Sequence, residues 1–245
     1  MGDSIFDYVK EFLEFKNIIS SSIGDSHEIY RGQCDDFRVQ KLRVDHDDDQ
    51  KFLKFCANSG YHVTDKKKNP KNVIYPFCIY MIYWIYREML SENVGKNSGL
   101  VKEFFDCVPN SDDCEIYVDK IDQDIYEKLK TLYDLYTNFN KFKTESLRTV
   151  AATCENGPKC VALYNEHAEK CNKNYNKDFC VKLIDFKKEY EEHMEKLTNC
   201  ESMPRYLPSI GSNIATSIAT PVVSMSLISF VAFISYKVSN DFIQN

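Results

Sequence analysis

The sequence predicts a mainly α protein, a multi-helix bundle followed by a single C-terminal transmembrane helix. Three observations carry that prediction. Apolar residues recur at helical spacing along most of the 245 residues, and no convincing strand alternation is found. Between Arg205 and Lys237 no residue is charged. The chain has only 8 Gly and 7 Pro, and its 43% hydrophobic content is too high for a disordered chain. The net charge of -6 argues against a general nucleic-acid binder, which needs a clustered basic surface.

The first helix is predicted from Ile5, Tyr8, Val9, Phe12, Phe15 and Ile19, which share one helical face behind a cap at Asp3 or Ser4. Residues 1–20 carry Asp3, Asp7, Glu11 and Glu14 and no apolar core run, so they do not read as a secretory leader. Gly2 is followed at position six by Phe6, where myristoylation needs Ser or Thr. The acidic run Asp45, Asp47, Asp48 and Asp49 suits a helix start, where the dipole favours negative charge. It lacks the ligand spacing and glycine of a calcium loop. A short helix is predicted over 48–58, then a loop over 66–71. The lysines of that loop, Lys66, Lys67, Lys68 and Lys71, read as solvated because no aromatic residue interleaves them.

Residues 73–86 are uncharged but too short to cross a bilayer, so they predict a buried core helix with Pro76 in its first turn and Trp84 as anchor. Loops are predicted at 91–99 and 109–113, on either side of a helix over 100–107. Ile121, Ile125, Leu129, Leu132, Leu135 or Tyr136, Phe139 and Phe142 mark a long helix, and Phe179, Leu183, Phe186, Tyr190, Met194 and Leu197 the last one before the anchor. The total is about seven helices packed on aromatic seams.

The apolar stretch proper runs over 214–236, about 34 Å as a helix, enough for a hydrocarbon core of about 30 Å. Pro221 is tolerable there, because Thr216, Thr220, Ser224, Ser226 and Ser229 can reclaim freed backbone groups. The organisation expected is therefore a helical, Cys-containing domain at 1–205, a short linker at 206–213, the span at 214–236 and a short tail at 237–245. Arg205 and Lys237 flank the membrane with balanced charge, so orientation is not fixed.

The 10 cysteines predict disulfides, and with them an oxidising space outside the cytosol. Cys160, Tyr164, His167 and Cys171 share a helical face, but Cys160 and Cys171 lie about three turns apart, too far to pair. Cys180 and Cys200, at opposite ends of one helix, are excluded for the same reason. The economical pairings straddle turns: Cys107 with Cys114, Cys154 with Cys160, or Cys171 with Cys180. Cys78, inside the apolar run, is the best candidate for a buried free thiol. A zinc site is not expected, since no Cys-x2-Cys knuckle occurs. No Asn begins a glycosylation sequon.

Catalytic constellations are missing too. There is no Gly-x-Ser-x-Gly elbow, Gly-x-Gly-x-x-Gly turn or His-Glu-x-x-His pair. Gly95-Lys96-Asn97-Ser98 echoes a phosphate loop but lacks its upstream glycine and hydroxyl residue. No enzyme activity, cofactor, metal or small-molecule substrate is expected.

One ordered set of features spans nearly the whole chain. It begins with Phe77-Cys78-Ile79-Tyr80-Met81-Ile82-Tyr83-Trp84-Ile85-Tyr86 and continues through Leu132-Tyr133-Asp134-Leu135-Tyr136. Then come Cys154, Cys160, Cys171, Tyr175, Phe179, Cys180, Tyr190, Cys200 and the single apolar run. In this order, within a composition biased toward AT-rich codons, the chain resembles the Plasmodium interspersed repeat proteins, and among them the Vir variant antigens. The resemblance implies a helical domain of a variable multigene family, exported by a blood-stage parasite to the infected red cell. Immune evasion and adhesion to host cells follow as expected roles. No export motif of the usual arginine-x-leucine form is found, and the tail after Lys237 is short for the family, as in a truncated member. The expected partners are membrane lipid and host receptors or antibodies. The rival reading is an intracellular tail-anchored helical adaptor with reduced thiols.

Overall fold

The computed structural model describes residues 4–22, 24, 28–43, 50–69, 74–108, 110–147 and 153–211. A 3-10 helix, Ile5–Glu11, leads into α1 (Phe12–Ser20). After it come α2 (Glu28–Phe37), ending in a π turn at Arg38–Leu42, then α3 (Lys51–Lys67), α4 (Tyr75–Glu88) and α5 (Val94–Cys107). A second 3-10 helix, Asp112–Lys120, precedes α6 (Gln123–Ser146), α7 (Gly157–Lys173) and α8 (Lys177–Glu195). The mainly α prediction holds, and no strand occurs among the described residues. No helix among them is long and apolar enough to cross a membrane. The span expected at 214–236, Lys237, the acidic run at 45–49 and Lys71 all lie outside the described residues.

Contacts divide the chain into two units, residues 1–160 with 197–200, and residues 161–196 with 201–245. In the first unit α4 is the central helix. Every residue from Pro76 to Tyr86 is buried, and Pro76 sits in the first turn, where its missing amide costs no hydrogen bond. A helix apolar on all sides must be surrounded, and α4 is. Phe12 of α1 packs on Tyr80 and Tyr83, and Phe15 meets Phe77 edge-on. Phe55 of α3 stacks on Trp84 at 3.8 Å between centroids, and Tyr126 and Tyr133 of α6 lie against Tyr83.

Local signals set the ends of these elements. Ser4 caps the first turn, its amide donating to the Asp7 carboxylate at 2.7 Å. Asn58, buried on α3, donates to the carbonyls of Ile19 and Ser21, which satisfies the C-terminal end of α1. Gly60 lets α2 approach α3 closely: a Cβ there would stand 3.1 Å from the Tyr30 ring. Asp122 caps α6, accepting from the Ile125 amide at 2.8 Å.

Three predicted loops are shorter than the sequence suggested. α3 runs through Lys66 and Lys67, because lysine is a good helix former and Lys67 meets Asp113 at 2.7 Å. α5 begins at Val94, capped by Asn93, where a loop to residue 99 was expected. The stretch expected as a loop at 109–113 passes at Asp112 into the second 3-10 helix. α2 was not anticipated at all.

In the second unit the remainder of α7 and all of α8 form an antiparallel pair, joined by a short turn and by the bond between Cys171 and Cys180. Tyr164 faces Phe186, and Phe179, Leu183, Tyr190 and Met194 complete the buried seam. Residues 201–211 then cross this pair as a strap. Its own Met203 and Leu207 side chains are buried. Tyr190 donates to the Pro204 carbonyl at 2.9 Å, Tyr164 to that of Pro208 at 2.7 Å, and the Leu207 amide to Glu191 at 2.9 Å. The Gly211 amide closes the strap on Asn172 at 2.6 Å, with the positive φ that glycine tolerates.

Candidate functional site

The cysteines form a framework that cross-links the helices. Four disulfides join Cys34 to Cys56, Cys78 to Cys114, Cys154 to Cys200, and Cys171 to Cys180, with Cα atoms 5.1 to 5.9 Å apart. Three of the four join positions 22 to 46 residues apart in sequence. Cys34 and Cys56 tie α2 to α3, and Cys78 and Cys114 tie the central helix to the second 3-10 helix. Cys154 and Cys200 close a loop of 46 residues.

Several pairing expectations are corrected by these bonds. Cys78 is not a free thiol: the 3-10 helix that carries Cys114 packs on α4 and brings the two sulfurs together. Cys107 therefore lacks Cys114 as a partner and remains free, half-buried in the last turn of α5. Cys160 is also free, because Cys154 bonds to Cys200. It lies in the first turn of α7, and its thiol points back to the Asn156 carbonyl at 3.3 Å. Cys34 and Cys56 were not among the candidate disulfide cysteines, although each lies on the buried stripe of an amphipathic helix.

The two free thiols differ in reactivity. Burial pushes the Cys160 thiol up to about 12, whereas Cys107 is raised by burial and by the neighbouring Asp106 while still reaching the surface. Titration of the folded chain with a thiol-specific reagent is expected to find Cys107 alone, and Cys160 is expected only after denaturation without reductant. Equal, fast labelling of both in the folded state would contradict this placement.

Among the described residues no cluster of three His, Cys, Asp or Glu is placed to hold a metal, and Cys171, near His167, is consumed in a disulfide. Gly95 to Ser98 form the first turns of α5, where the Asn97 side chain donates to the carbonyls of Leu90 and Asn93. Lys67 and Lys68 of the basic run pair with Asp112, Asp113 and Asp65, so their charge is largely balanced locally. Arg205, expected beside the membrane, lies in the strap and donates to the Met194 carbonyl at 3.5 Å.

One half-buried histidine, His62, makes the first unit sensitive to acid. His62 packs on the Phe77 ring at 4.4 Å, and burial, followed by the Lys66 charge, lowers it from 6.5 to about 4 despite Asp65. The unfolded chain binds that proton near 6.5 and the folded chain resists it until about 4. Stability is thus full above about 6.5 and falls as the pH drops toward 4. His167, also lowered by burial, acts in the same direction. His62→Phe is expected to flatten the loss of thermal stability between pH 6.5 and 4; an unchanged pH slope would refute the assignment.

Comparison with known proteins adds one finding. No curated protein matches the chain, and no solved structure does. The family model described as Plasmodium vivax Vir protein matches residues 10–226, which takes in the eight α-helices of the described residues, the four disulfides and the start of the charge-free run. A match over that span settles what the ordered aromatic and cysteine features suggested: the chain belongs to the Plasmodium vivax Vir protein family, a family of variant surface antigens.

Proposed function

We propose that this chain is a membrane-anchored, non-catalytic variant surface antigen that a blood-stage parasite exports to the infected red cell. There it takes part in immune evasion and in adhesion to host cells. The single observation that carries the reading is the family match, which extends past residue 214 into the charge-free run. Residues 214–236 are the anchor in this reading, between Arg205 and Lys237. The strap is hydrogen-bonded through Gly211, so only residues 212 and 213 separate the packed head from the anchor.

Two features support an external head. Disulfides persist where the surroundings are oxidising, and this chain carries four. Exposed turns on a cross-linked helical scaffold can change sequence with little loss of stability, which suits a surface that varies. The partners in this reading are membrane lipid, host receptors and antibodies.

Protease shaving of intact infected cells, with the chain tagged at its N-terminus, tests it. The tag and head are expected to be lost while a membrane-protected C-terminal fragment survives. Full protection of the head would remove the antigen reading and fit the intracellular tail-anchored adaptor instead.

A further inference from the structure

A cavity of about 550 Å³ opens on the first unit between α1, α3 and α4, lined by Lys16, Ile19, Ser20, Lys51, Lys54, Trp84 and Glu88. Its volume lies in the range of small-molecule sites. Three ammonium groups and one carboxylate meet there, a local excess of positive charge on a chain whose net charge is -6.

Several lysines elsewhere in this unit meet carboxylates: Lys41 meets Glu103, Lys67 meets Asp113, Lys102 meets Asp119, and Lys130 meets Glu92. In the cavity, Glu88 is already engaged by Lys51 and by Arg87. Among the described residues neither Lys16 nor Lys54 has a carboxylate partner, although Lys54 is partly buried. Two uncompensated cations in one concavity attract an anion, and the recess weakens the screening that water provides at an open surface.

The rest of the lining narrows the chemistry. Trp84 is held rigidly by its stack on Phe55, and the Lys51 ammonium stands 6.0 Å from its ring centroid. Ile19 adds apolar surface and Ser20 a hydroxyl. An aromatic edge beside ammonium and hydroxyl groups suits a ring with an apolar CH face, hydroxyls and one strong negative charge. We propose that this cavity binds a sugar carrying a carboxylate or sulfate group. Lys16 and Lys54 hold the anion, and Trp84 lies against the ring. This assignment does not depend on which membrane carries the protein.

Trp84 is the only tryptophan, so its emission reports on the cavity directly. The full chain in detergent micelles is titrated with 3′-sialyllactose and with a heparin-derived disaccharide, against neutral lactose and inorganic sulfate. A saturable change in emission is expected with at least one acidic sugar, weakened at least tenfold in the double variant Lys16→Glu/Lys54→Glu. Lactose is expected to be inert, and sulfate to bind at least tenfold more weakly than the sugar. The absence of a response to both acidic sugars overturns the proposal. So does an equal response to lactose, sulfate binding as tight as the sugar, or a variant that binds as well as the parent. If the variant loses its helical circular dichroism, raising the salt tenfold on the parent chain replaces it. Affinity must then fall; unchanged affinity overturns the proposal.

Discussion

Replacing Cys154 and Cys200 together with serine is expected to lower stability by about 4 kcal/mol, the loop-closure entropy released to the unfolded chain when a bond across 46 residues is lost. At this chain length that is a drop of the melting midpoint on the order of 10 °C. The same argument gives about 2.6 kcal/mol for the Cys171–Cys180 pair, which closes only 9 residues. The order of the two losses is therefore part of the prediction. Denaturant unfolding under non-reducing conditions measures both. A Cys171/Cys180 double variant that costs as much as the Cys154/Cys200 variant would show that loop closure is not what these bonds contribute. The 154–200 bond also acts locally. It draws residues 197–200 back onto the first unit, where the Asn199 side chain donates to the Ser146 carbonyl at 3.0 Å. Close by, the buried Glu145 carboxylate accepts from the amide and the side chain of Asn156, each at 2.7 Å.

The second large effect belongs to the core. Phe55→Ala removes a side chain that is fully buried and touches three aromatic neighbours: Trp84 at 3.8 Å, Phe104 at 5.4 Å and Phe52 at 6.3 Å between centroids. Its removal forfeits the transfer energy of the ring and leaves a cavity that rigid neighbours cannot fill, a cost of about 3–5 kcal/mol. Aromatic pairing adds to the area term here. Because Trp84 is the only tryptophan, the same variant has an optical signature: its emission is expected to shift to the red as the stack opens to water. A variant within about 1 kcal/mol of the parent, with unshifted emission, would mean that α3 and α4 are not packed as described.

Why some of this architecture could be read from the sequence and some could not is a matter of range. The central helix was legible because its signal is local: a charge-free run with proline near its start can only be a buried helix of about that length. The structure shifts its bounds by two residues, to Tyr75–Glu88. The cap at Ser4 and the long helix of α6 were legible for similar reasons. α2 was missed although Tyr30, Cys34 and Phe37 are spaced for a helix. Three buried residues out of ten make a thin stripe, and what fixes it is the fit of Tyr30 against Gly60, a tertiary contact.

Cysteine connectivity shows the same limit. The rise of a helix correctly separates Cys160 from Cys171 and Cys180 from Cys200, because that argument is local geometry. Pairing by nearness in sequence failed for Cys107 with Cys114 and for Cys154 with Cys160. Tertiary packing decides which sulfurs meet, and it brings together positions 36 and 46 residues apart. The lysine-lined cavity was equally hidden. Lys16, Lys54 and Trp84 come from three helices, and nothing in the local pattern of any one of them signals the other two.

The account rests on a helical head cross-linked by disulfides that form outside the cytosol. Peptide mapping by mass spectrometry, on chain alkylated while still in infected cells and never reduced, tests this most directly. The expected map contains Cys34–Cys56, Cys78–Cys114, Cys154–Cys200 and Cys171–Cys180, with Cys107 and Cys160 recovered as alkylated thiols. Recovery of all ten cysteines as alkylated thiols would contradict both the framework and the oxidising location it implies.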